Sequence, residues 1–141
     1  MKRARFLAEQ GNNYQEVPVG AIVLCEGHVI AEAHNCVEIW NDPCAHAEAL
    51  AMKKASHERK SRFLTDCTLV VTLEPCALCA AAAAAYRIER VIFGAYDPKT
   101  GGVEHGARVF SHAHHKPDII GGLQEQECAD LLSNFFAGKR L

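Results

Sequence analysis

The chain has 141 residues, 49% of them hydrophobic and 23% charged, with a formal net charge of −2. That length suits one domain, residues 1–141, which hides roughly 70% of the surface its unfolded chain would expose and needs no disulfide staples. No apolar run approaches the ~20 residues of a membrane span, the basic start lacks the apolar core of a signal peptide, and the slight acidity excludes a protein that grips nucleic acid by phosphates alone, so a cytoplasmic protein with a shaped site is expected.

Residues 2–10 have helical composition. Residues 19–24 form a continuous apolar run behind Pro18 and read as a buried strand. Glu26-Gly27 reads as a hairpin turn, with a second strand over 28–34. Residues 35–44 contain Asn41-Asp42-Pro43 and read as a loop. Residues 45–56 are rich in good helix formers. Residues 67–72 are β-rich and predict a third strand. Pro75 is expected to open a helix running to 85, because proline is favoured in a first turn. A fourth strand over 90–94 is followed by a glycine-containing loop over 97–102. Ile119-Ile120 suggests a short edge strand. Over 124–136, Cys128, Leu131, Leu132, Phe135 and Phe136 recur at helical spacing and predict an amphipathic helix. This order predicts a three-layer α/β/α sandwich with a mixed central sheet: an antiparallel hairpin first, then right-handed parallel crossovers.

The cysteines number seven, an odd count that argues against a disulfide framework. Most read as small buried hydrophobes, Cys25 and Cys67 among them because they adjoin apolar runs. Cys76 and Cys79 differ, because they are three apart and share one helix face. Cys76 falls at a helix start, where the dipole favours a thiolate. His46 and Glu48 are two apart, about 200° around a helix, so both can reach one ion only from a helix end. Alone, H-x-E occurs by chance, and C-x-x-C could be a redox pair or half a structural site. Together they form H-x-E followed by P-C-x-x-C, each at the start of a helix. Three ligands, His46, Cys76 and Cys79, leave the fourth tetrahedral position of a Zn2+ ion open to water, as catalytic sites do. Glu48 then serves as the proton shuttle.

Through these motifs the chain resembles the zinc-dependent cytidine/deoxycytidylate deaminase family, whose signature is this pair of motifs. Within that family it resembles the bacterial tRNA adenosine deaminase branch. The resemblance rests further on Glu16-Val17-Pro18-Val19-Gly20-Ala21, Asp42-Pro43-Cys44-Ala45-His46-Ala47-Glu48, Thr72-Leu73-Glu74-Pro75-Cys76, Val91-Ile92-Phe93-Gly94-Ala95-Tyr96-Asp97-Pro98-Lys99-Thr100-Gly101 and Cys128-Ala129-Asp130-Leu131-Leu132-Ser133-Asn134-Phe135-Phe136. It runs from about Glu16 to Arg140. It implies a cytidine deaminase-like fold, one zinc per subunit, a homodimer, and conversion of adenosine to inosine at the wobble position of an arginine tRNA anticodon stem-loop. It also implies substrate contacts at Asn35, Asp97, Val17, Pro18 and Ala47, with Asp97 near a ribose. The alternative is deamination of free guanine, cytosine or their nucleosides. A third reading is a non-catalytic zinc subunit that helps another protein bind RNA, which the intact Glu48 disfavours. The apparently short first helix, the alanine run 80–85 and the histidine-bearing loop after Gly102 depart from the usual pattern. His112, His114 and His115 read as a solvated loop with one packed histidine. Of Phe135 and Phe136, one is expected in the core and one near the pocket. Lys53-Lys54 and Lys139-Arg140 are candidate contacts to an RNA backbone.

Overall fold

A computed structural model describes residues 1–138. Its elements are α1 (Lys2–Asn12), β1 (Gly20–Cys25), β2 (His28–His34), α2 (Val37–Trp40), α3 (Ala47–Arg59), β3 (Cys67–Leu73), α4 (Ala77–Ala85), β4 (Arg90–Ala95), a 3-10 turn at Val109–Ser111, β5 (Asp118–Ile120) and α5 (Glu125–Gly138). The five strands form one sheet in the order β2-β1-β3-β4-β5. β1 is antiparallel to β2 and β3, whereas β3, β4 and β5 run parallel. The hairpin turns on Glu26 and Gly27, with φ of 51° and 80°. Two successive positive φ values match the twist of a two-residue hairpin.

Alternation along the strands sorts the core into two layers. Ile22 and Val70, with Leu24 and Ile92, pack on Ala4 and Leu7 of α1. The intervening residues, Ala21, Val23, Leu69, Val71, Val91 and Phe93, belong to the cluster built with α3 and α4. On those helices the inward residues are small, Ala47, Ala51 and Ala55 on α3 and Ala80 and Ala83 on α4. α5 lies against β4 and touches α1, completing the three layers. Two glycines allow the layers to close. A Cβ on Gly20 would collide with the Ala4 carbonyl oxygen, and one on Gly94 would meet Cys128 Sγ, with Thr72 O at 2.8 Å.

Two local expectations change. Residues 35–44 include a helical turn, α2, because the buried Glu16 carboxylate accepts from Glu38 N at 3.0 Å and Ile39 N at 2.7 Å. Pro75 does not open α4. The preceding Glu74 still pairs with the sheet, its N–H reaching Ala95 O at 2.8 Å, and Pro75 O accepts from Gly102 N at 2.8 Å. Cys76 is therefore the extended N-cap, with φ −71° and ψ 175°, and the helix begins at Ala77. No helix among the described residues is long and apolar enough to cross a membrane. Lys139-Arg140 lies outside the described residues.

Candidate active site

The carboxyl end of β3 meets the amino ends of α3 and α4. His46 is the N-cap of α3 and holds an extended conformation, with φ −77° and ψ 147°. Both helices thus point their positive ends at one spot, with His46 and Cys76 at their caps and Cys79 in the first turn of α4. His46 Nδ1 lies 3.5 Å from Cys76 Sγ and 3.4 Å from Cys79 Sγ. A tetrahedral zinc with ordinary Zn–S and Zn–N bonds holds its nitrogen and sulfur ligands about 3.5 Å apart. The donor set and its spacing therefore fit zinc, and no fourth His, Cys, Asp or Glu joins this group among the described residues.

The electrostatics suit a cation. Cys76 is pulled down to about 4, chiefly by the Cys79 thiol and then by His46. Cys79 is pushed up by its hydrogen bond to Cys76 and by burial. His46 is raised, first by its contact with Cys76. Glu48 is only 5% exposed. Burial pushes its carboxyl up to about 7, the range in which a group can both accept and return a proton.

A cleft of about 380 Å³ opens above this cage, with His46, Glu48 and Cys76 at one end and Val17, Leu73 and Phe136 on its sides. A wider depression of about 850 Å³ adjoins it, sharing Val17, Leu73, Asp97, Thr100 and Phe136. The first is of a size to take one nucleobase, and the second leaves room for flanking nucleotides.

The expected substrate contacts fall unevenly. Val17, Asn35 and Asp97 line the cleft. Asn35 also braces the wall, its Oδ1 accepting from Ala47 N at 2.8 Å and its Nδ2 donating to Val17 O at 3.2 Å. Asp97 organises its own loop, accepting from Thr100 Oγ1 at 2.6 Å, Thr100 N at 3.0 Å and Lys99 N at 3.2 Å. Pro18 and Ala47 are fully buried behind the wall instead of forming its face. Phe135 is buried and Phe136 exposed, and both border the cleft. His112 and His114 are exposed, while His115 packs with Nε2 at 2.6 Å from Ile88 O. Lys53 and Lys54 are exposed, and Lys54 Nζ donates to Glu32 O at 3.2 Å.

Sequence reasoning passed over Glu74. Its side chain is wholly buried and accepts from the N–H groups of Asp97 (3.0 Å), Val103 (3.2 Å), Glu104 (2.9 Å) and His105 (3.1 Å). His105 Nδ1 adds a contact at 2.8 Å. Burial alone would raise this carboxyl, but the hydrogen bonds from Asp97, His105, Glu104 and Val103 outweigh it and hold it below the usual range. One carboxylate thus ties the loop beyond β4 to the residue two before Cys76. Glu16 does the same for α2. The available signal was an acidic residue set against an apolar strand and a proline, where solvent cannot reach it.

Three comparisons bear on this site. A family model for the cytidine and deoxycytidylate deaminase zinc-binding region matches residues 1–95. The chain is 50% identical over 137 residues to a tRNA-specific adenosine deaminase of Aquifex aeolicus, covering 96% of this chain and 88% of that one. It is 43% identical over 143 residues to the Agrobacterium fabrum protein of the same description, covering 100% and 94%. A structure solved in a study of A-to-I editing by tRNA:A34 deaminases at the wobble position superposes with a TM-score of 0.92 at 42% identity, covering 94% of this chain and 97% of that one.

Proposed function

This chain belongs to the zinc-dependent cytidine and deoxycytidylate deaminase family, and we propose that it hydrolyses adenosine to inosine at wobble position 34 of tRNA, with the anticodon stem-loop of an arginine tRNA as its substrate. The observation that carries the chemistry is the buried Glu48 beside a three-donor cage that opens into a base-sized cleft. The substrate reading rests on full-length similarity to tRNA-specific adenosine deaminases.

Zinc held by His46, Cys76 and Cys79 would supply the Lewis acid that makes water a nucleophile near neutral pH. Glu48 accepts the proton of that water and delivers it to ring nitrogen N1 of the adenine. Attack at C6 then gives a tetrahedral carbon. Glu48 then takes the proton of the new C6 hydroxyl and passes it to the departing amine, so ammonia leaves and the carbonyl of inosine remains. Val17 and Leu73 offer the flipped base apolar walls. Asn35 keeps Val17 and the start of α3 in place, and Asp97 shapes the rim where a ribose hydroxyl would lie. Residues 1–141 act as one deaminase domain, in the cytoplasm and as a homodimer.

The test is to incubate the zinc-loaded protein with the stem-loop of its arginine tRNA and sequence position 34. Inosine is expected there. Unchanged adenosine together with turnover of free guanine or cytosine would select a nucleobase deaminase instead.

A further inference from the structure

Five cysteines lie outside the catalytic cage, and two of them face each other. Cys25 closes β1, Cys67 opens β3, and they are register partners across the antiparallel pair. Cys67 N donates to Leu64 O at 3.1 Å, and Cys67 O accepts from Glu89 N at 3.0 Å. Its main chain therefore turns away from β1. The pair is of the non-hydrogen-bonded kind, in which opposed side chains stand closest. Asp66 adds a carboxylate, and the ligand atoms of all three residues lie within 4.8 Å of one another. Arg59, from the last turn of α3, reaches into this group. Its Nη1 lies 3.3 Å from Cys25 Sγ and 3.0 Å from Cys67 Sγ, and it also donates to Asp66 Oδ1. One cationic nitrogen bonded to two sulfurs and a carboxylate marks a point where the fold holds positive charge.

We propose that Cys25, Cys67 and Asp66 form a second metal site, selective for a thiophilic divalent ion of the zinc class, with Arg59 as the occupant that the ion displaces. Two sulfurs and one oxygen are a zinc donor set, with the fourth position left to water. Binding forms two metal–sulfur bonds and one metal–oxygen bond and releases the two thiol protons to solvent. Two thiolates and Asp66 then supply three negative charges against two on the ion, and Arg59, displaced from the sulfurs but still at the rim, offsets the third. The donors must close to about 3.6–3.8 Å, the spacing around a tetrahedral zinc, which side-chain rotation provides. Arg59 and Asp66 are both exposed, so the guanidinium can swing outward while Cys67 stays buried beneath. The site lies at the opposite end of β3 from Cys76, with the roughly 20 Å length of that strand between them, and clips β1 to β3 without touching the cleft.

The experiment uses the full-length protein in reducing buffer, saturated with Zn2+ and freed of excess. Metal content by mass spectrometry is expected to be two ions per chain for the wild type and one for Cys25→Ser/Cys67→Ser, with tRNA deamination unchanged. Because replacing the buried Cys67 strains the sheet, Cys25→Ala gives an independent count of one. In wild type, zinc should slow iodoacetamide labelling of Cys25 at least tenfold. A single ion per wild-type chain, or Cys25 labelling equally fast with and without zinc, overturns the proposal. So does a Cys25–Cys67 peptide two mass units light in reducing buffer, which identifies a disulfide instead.

Discussion

Burial acts on both Glu48 and Glu74, yet it lifts only the first. The Glu48 carboxyl rises to about 7 because few donors offset the loss of water. Glu74 is surrounded by four main-chain N–H groups and His105, and is held below its usual range. The two residues should therefore fail differently. Glu48→Gln keeps the shape of the side chain but cannot shuttle a proton, so inosine formation should fall by roughly 10²–10⁴. The zinc held by His46, Cys76 and Cys79 should stay; loss of that ion together with activity would reassign Glu48 to structure. Glu74→Gln replaces one acceptor oxygen with an NH₂ group that faces main-chain donors. At about 1–3 kcal/mol for each N–H left unpaired, it should lower the urea midpoint by several tenths of its wild-type value. An unchanged midpoint would mean the loop is fixed by other contacts. The ligands and Glu48 were legible in the sequence because metal and proton chemistry demands particular side chains at particular spacings. Glu74 and the bracing role of Asn35 were not, because their partners are main-chain groups, which no residue type announces.

Most of the secondary structure was legible from period and turn chemistry. The apolar run 19–24, the Glu26-Gly27 turn and the β-rich run 67–72 place β1, β2 and β3 within a residue or two of their observed ends. The exceptions depend on distant partners. α2 exists because Glu16, 22 positions before Glu38, accepts from its first N–H groups. α4 starts late because Glu74 and Pro75 are still engaged with Ala95 and Gly102. Layer spacing is also set at single residues. Gly20→Ala forces a methyl against the main chain of α1, and Gly94→Ala forces one against Cys128 of α5. Each should cost about 1–3 kcal/mol, the usual penalty of overpacking. Gly138→Ala, with nothing within 4 Å of its added Cβ, is the control and should be neutral or slightly stabilising. Chemical denaturation of the three variants checks this. Equal midpoints would mean that the helices shift freely over the sheet.

At the scale of the whole molecule, the cage joins α3 to α4, which otherwise meet through small residues such as Ala51, Ala55, Ala80 and Ala83. An ion that binds only the folded chain stabilises it by mass action. Chelation of zinc should therefore lower the melting temperature, and re-addition should restore it; a melting curve indifferent to the chelator would place the ion outside the fold's support. The opposite side of α4 is less complete. Ala81, Ala84 and Ala85, with Phe63 and Val109, line a shallow groove of about 410 Å³, and Leu78 on the same helix is 45% exposed. Alanines let another backbone approach closely, and a closed dimer presents the same patch from both copies. The proposed homodimer is expected to make its contact on this face. Ala81 is exposed in the single chain, so Ala81→Arg should disturb the monomer's stability by no more than ~0.5 kcal/mol while setting two cations against each other across the contact. Sedimentation at micromolar concentration should give twice the chain mass for the wild type and the single-chain mass for the variant. A wild type that sediments as one chain removes the dimer, and a variant that remains paired moves the interface away from α4.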